Sequence, residues 1–61
     1  MNGKQIIKLL IAQGFTVLRV TGSHHILGNG SRKVTVPVHA ADDVKTGTLK
    51  SIEKQSGVKL K

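Results

Sequence analysis

At 61 residues the chain has room for one small domain, and such a domain buries only roughly 60% of the surface its unfolded form exposes. Apolar residues make up 38% of it, too many for disorder; it has no cysteine for a disulfide or thiolate metal site, and its sole aromatic, Phe15, cannot make a base-stacking platform. Ten Lys and Arg against three Asp and Glu give a net charge of +7, which predicts a polyanionic partner: nucleic acid, an acidic protein or an anionic membrane.

Asn2 followed by Gln5 has the spacing of a capping box. Ile6, Ile7, Leu9, Leu10 and Ala12 then recur at helical spacings, and Gly14 suits the left-handed residue that closes a helix. The pattern predicts a first helix over residues 3–13. Residues 16–21 are rich in β-branched side chains and read as a strand. Gly22-Ser23 marks a tight turn, and residues 24–27 read as a second, short strand. Gly28-Asn29-Gly30-Ser31 is a hairpin turn. A third strand is predicted over residues 32–38, where Val34, Val36 and Val38 alternate with Lys33, Thr35 and Pro37. A proline cannot donate to the ladder, so Pro37 puts this strand at an edge or ends its pairing. Residues 39–45 read as a loop, and a second helix begins near Thr46 or Thr48 and stops at Gly57.

The order helix, three strands, helix predicts an α+β fold in which one domain spans residues 1–61. Two layers are expected, a three-stranded antiparallel sheet with one face covered by two helices. The other face is left to solvent or a ligand. This α-β-β-β-α order is that of double-stranded-RNA-binding domains. The longest apolar run, Ile6 to Ala12, is broken by Lys8 and is too short to span a bilayer. With no signal-peptide pattern in view, the expectation is a cytoplasmic protein with no membrane partner.

The chemistry-bearing residues cluster at Gly22-Ser23-His24-His25. Histidine is the side chain whose ordinary pKa, roughly 6.5, lets it both take and give protons near neutrality. Successive strand residues point to opposite faces, so at most one of His24 and His25 faces a given ligand. The plain alternative is two polar residues at a strand start. His39, at the end of the third strand, is a further candidate, or simply a loop histidine. An adjacent pair on a regular strand does not converge on one ion, and no His-x-x-x-His spacing exists, so no metal site and no cofactor are expected. Asp42 and Asp43 are expected to precede the second helix, where negative charge suits its N-terminus. Three acids in all are too few for a two-metal nuclease. Arg32 and Lys33 open the strand beside the one bearing His24, and with Gly22 and Ser23 they are the candidate RNA-binding residues.

Three blocks of the chain resemble the HicA family of type II toxins: Gly22-Ser23-His24-His25-Ile26-Leu27, then Lys33-Val34-Thr35-Val36-Pro37-Val38-His39, then residues 47–58 beginning Gly47-Thr48-Leu49-Lys50. The Ile6-Ile7-Lys8-Leu9-Leu10 helix and Gly14-Phe15 belong to the same pattern, so the likeness runs along nearly the whole chain. It implies a small toxin of a toxin–antitoxin pair, similar in fold to double-stranded-RNA-binding domains. It also implies messenger-RNA cleavage independent of the ribosome, and a HicB antitoxin that neutralises the toxin by covering its site. The family's catalytic histidine carries over to His24, which leaves His25 and His39 as weaker candidates. Leu27 departs from the pattern, standing where many relatives carry an aromatic residue that serves packing or RNA contact. The implied activity is a metal-independent endoribonuclease, an mRNA interferase. Two readings compete with it: a non-enzymatic double-stranded-RNA-binding module, and a domain that binds an acidic protein.

Overall fold

The computed structural model describes residues 1–39 and 42–60, and in it the chain runs α1 (Gly3–Ala12), β1 (Thr16–Thr21), β2 (His24–Gly28), β3 (Lys33–Pro37) and α2 (Thr46–Ser56). The strands form one antiparallel sheet in the order β1-β2-β3. This is the expected α+β layout, an open three-stranded sheet with helices at both ends of the sequence.

Local chemistry sets the element boundaries. The Asn2 side chain accepts from the Gln5 backbone N–H at 2.9 Å, and the Gln5 side chain accepts from the Asn2 N–H at 2.8 Å, completing the capping box. The helix ends at Ala12, one residue inside the predicted end, with Gln13 as its C-cap, and Gly14 follows at φ 95°. At the far end of the chain Gly57 closes α2 at φ 73°, donating its N–H to the Glu53 carbonyl. In the β2–β3 turn the Asn29 side-chain oxygen accepts from the backbone N–H groups of Ser31 (3.0 Å) and Arg32 (2.8 Å), while the Asn29 N–H donates to the Arg32 carbonyl. Those bonds hold Arg32 in the turn, so β3 begins at Lys33 and not at Arg32 as the sequence suggested. Pro37 ends β3, which is an edge strand as its proline required.

The core is Ile6, Leu10, Phe15, Leu27, Val34, Val36, Ile52 and Leu60. Register puts its sheet members on one face: Leu27 pairs with Val34, and His25 with Val36. Burying these side chains against Ile6 and Leu10 of α1 and Ile52 of α2 is the main source of stability, at about 1.5–3 kcal/mol for a fully buried aliphatic or Phe side chain. Of the two alternatives for the Leu27 position, packing is the one realised, since Leu27 is completely buried. In α1 only one stripe is buried, so Leu9 and Ile11 remain exposed.

Asp42 and Asp43 precede α2 as expected, although its first turn carries no acid and Lys45 is its N-cap residue. Asp43 also forms an isolated antiparallel bridge with Asn2 and lies 3.4 Å from the Met1 amine, which ties the segment before α2 to the start of α1. Residues 40 and 41 of the expected 39–45 loop, and Lys61, lie outside the described residues.

Candidate active site

The β1–β2 turn places the histidines. Gly22 occupies the left-handed region at φ 57°, which a side chain rarely adopts, and it reverses the chain in two residues. His24 opens β2 opposite Thr21 on one side and Pro37 on the other. The Ser23 carbonyl accepts from the Val38 N–H at 2.7 Å, which ties the turn to the end of β3. The approach to His24 is thus fixed by both flanking strands.

Adjacent residues on β2 part company. Leu27 and His25 share the helix-covered face, so His24 and Ile26 belong to the open one. His24 is exposed, whereas His25 is half-buried, its Nδ1 enclosed and without a hydrogen-bond partner among the described residues. An enclosed, unpartnered nitrogen costs on the order of 1–3 kcal/mol, so His25 is held there against its own solvation preference. His39 is exposed two residues past Pro37, the cross-strand partner of His24. It lines a cleft of about 270 Å³ with Pro37, Asp42, Asp43, Val44, Lys45 and Thr48. Among the described residues no three His, Asp or Glu side chains gather as a metal site requires.

The cations are distributed differently from the sequence expectation. Strands β2 and β3 are antiparallel, so Lys33 pairs with Gly28, four residues along β2 from His24. At roughly 3.3 Å per residue the separation along the strand is about 13 Å. Arg32 is farther from His24 still. Its guanidinium lies beside Gly57 and donates to the Lys54 carbonyl at 3.4 Å, at the C-terminal end of α2. The candidate residues therefore fall at two ends of the sheet. Gly22, Ser23, His24 and His39 stand at one, with the starts of both helices; Gly3 of α1 abuts Pro37 and Val38 there. Arg32 and Lys33 stand at the other.

A cation that shares the open face near His24 is Arg19. Arg19 pairs with Ile26 and Thr21 with His24, so Arg19 and Thr21 lie on the open face and Arg19 is the diagonal neighbour of His24. Diagonal neighbours in an antiparallel pair stand about 7–8 Å apart, within reach of a long side chain. A break in β1 pairing between Val17 and Arg19 leaves Leu18 as the extra residue of a bulge. Composition and charge alone do not single out Arg19 from the other cations. Its spacing from Thr21 was the available signal, since residues two apart on a strand share a face.

These features define a small α+β domain that presents one exposed histidine and one arginine on an open sheet face. Residues 3–58 match the family described as HicA toxin of bacterial toxin-antitoxin. The match covers most of the chain, which therefore belongs to the HicA toxin family. A search of curated proteins found no match. Family membership gives the chain a toxin's role in a toxin–antitoxin pair and implies a cognate antitoxin as its partner. Among the described residues no helix is long and apolar enough to cross a membrane.

Proposed function

We propose that the chain is a metal-independent endoribonuclease, an mRNA interferase acting in the cytoplasm, in which His24 transfers the proton at the scissile ribose. The observation that carries this reading is the separation of the two histidines: the one following Gly22-Ser23 is exposed on the open face with Arg19 diagonal to it, and its neighbour is turned towards the core. The element order, shared with double-stranded-RNA-binding domains, and the net charge of +7 favour RNA as the polyanion.

The reaction begins with the ribose 2′-hydroxyl. As it attacks the adjacent phosphorus, its proton goes to a base; the 5′-oxygen leaves with a proton from an acid. His24 serves as one of these two groups. A positioned proton-transfer group contributes about 10²- to 10⁴-fold. Arg19 offsets the charge growing on the phosphorane oxygens. Gly22 and Ser23 bring backbone close to the substrate, with Gly22 leaving space that a side chain would fill. Arg32 and Lys33, at the distant end of the sheet, bind phosphates away from the bond that breaks. A HicB-type antitoxin neutralises the toxin by covering the His24 face, and acidic groups on it would complement the +7 surface.

The test is incubation of the purified protein with RNA and with DNA of the same sequence, in the presence of a chelator. RNA is cut and DNA survives, because only RNA offers the 2′-hydroxyl. Intact RNA at high protein concentration would favour the binding-module reading, and a need for magnesium would remove the mechanism.

A further inference from the structure

The ribonuclease reading gives Lys33 a phosphate to bind but assigns nothing to the cleft beside it. That cleft lies around the β2–β3 turn, has a volume of about 550 Å³, and is lined by Thr16, Leu18, Gly28, Asn29, Arg32 and Lys33, among others. Thr16, Gly28 and Lys33 sit side by side in register, with the same parity as His24. The cleft therefore opens on the face that carries His24, about 13 Å further along β2.

Its construction suits one nucleotide. Gly28 is buried beneath the Leu18 side chain, which a Cβ there would meet at 2.7 Å, so the lack of a side chain at Gly28 lets Leu18 lie flat on the strand. The bulge in β1 supplies Leu18 as an extra residue, giving an apolar edge of the kind a base plane can rest on. Thr16 offers a hydroxyl, which donates to the Gly28 carbonyl at 3.4 Å. Lys33 stands at the rim, exposed and available to a phosphate. The turn is already ordered, with the Asn29 oxygen holding the Ser31 and Arg32 N–H groups, so binding need not pay to fold it. Arg32 also lines the cleft, but its guanidinium is turned to Gly57 and the Lys54 carbonyl at the end of α2, which leaves Lys33 as the phosphate contact.

We infer that this cleft is a remote subsite for a ribonucleotide of the substrate strand, taking its phosphate at Lys33 and its base against Leu18, a few nucleotides from the one acted on at His24. The inference rests on the ribonuclease reading and gives that site a second anchor. It predicts that RNA is gripped at both ends of the open face, with Arg19 between them.

Uncleavable 2′-O-methyl RNA separates the subsite from the catalytic centre. Backbone amide NMR of the intact chain is followed while a dinucleotide and then an eight-nucleotide strand are added. The dinucleotide is expected to move amides of residues 21–26 alone. The longer strand is expected to move those of Leu18 and residues 28–33 as well, and to bind at least tenfold more tightly. In Lys33→Ala that gain is expected to shrink, and the slope of log affinity against log salt to fall by about 0.7, the value for one phosphate contact on a single strand. Leu18→Ala is expected to reduce the gain with no change in that slope. The subsite is overturned if the longer strand moves residues 21–26 but leaves Leu18 and residues 28–33 in place, or if both variants keep the full gain. RNA that is not cut in the ordinary assay, and moves no amide near His24, would instead remove the ribonuclease reading itself. An acidic peptide that moves residues 28–33 when RNA does not would assign the cleft to a protein partner and overturn the subsite.

Discussion

The two faces of the sheet treat the same kind of residue in opposite ways. His24 and His25 are neighbours in the chain, yet one is exposed on the open face and the other is turned among the valines of the covered face with an enclosed nitrogen. The covered face holds Leu27, Val34 and Val36 at nearly zero exposure; the open face is carried by His24, Arg19, Thr21, Thr35 and Lys33. The lesson is that the covered face gives the fold its stability and the open face is free to vary in chemistry. A substitution on one should leave the property of the other almost unchanged.

The sharpest test of that division is His24→Ala. RNA cleavage is expected to fall by about 10²- to 10⁴-fold, while the thermal unfolding midpoint barely moves, because surface substitutions stay within about 0.5 kcal/mol. Retained cleavage would shift the assignment to His39 or His25. Leu27→Ala is the mirror experiment. Loss of a fully buried leucine is expected to cost about 2–5 kcal/mol in denaturant unfolding, most of what a chain of 61 residues can spare. A loss below about 1 kcal/mol would mean that the core is looser than its packing implies.

Smaller effects refine the comparison. Arg19→Ala is expected to lower the rate of RNA cleavage by about tenfold, in line with one charge-assisted hydrogen bond to an exposed phosphate, with partial recovery in Arg19→Lys. A rate equal to wild type would show that the diagonal neighbour takes no part. Asn2→Ala removes the side chain that accepts from the Gln5 N–H, and urea unfolding should reveal a loss of about 1 kcal/mol. His25→Leu should be neutral to slightly stabilising, since it removes the enclosed unpartnered nitrogen, and cleavage should persist. Abolished cleavage in a folded His25→Leu protein would contradict the separation of the faces.

Most of the fold was legible because the signals were local. The capping box at Asn2 and Gln5, the left-handed glycines at 14 and 57, and the Asn-Gly turn each fix a boundary through bonds made within a few residues. The opposed orientation of His24 and His25 was legible for the same reason, since strand alternation needs no partner. Charge placement was harder. Arg32 and Lys33 looked close to His24 because their strand is adjacent, but antiparallel pairing sends the start of β3 to the end of β2. Arg19 was overlooked because its nearness to His24 exists only across the β1–β2 pair. The bridge from Asp43 to Asn2 was not legible, because its partners are far apart in sequence.

The sequence by itself determined which segments are helix and strand, where they stop to within a residue, and that two adjacent histidines must face apart. Propensity, capping and alternation act over a few residues and are written in the chain. Only the tertiary structure decided which histidine lies open to solvent, that Arg19 stands diagonal to it, and that Arg32 and Lys33 sit at the far end of the sheet. Those depend on strand register and on which face the helices cover, and both are fixed by contacts between residues far apart in sequence.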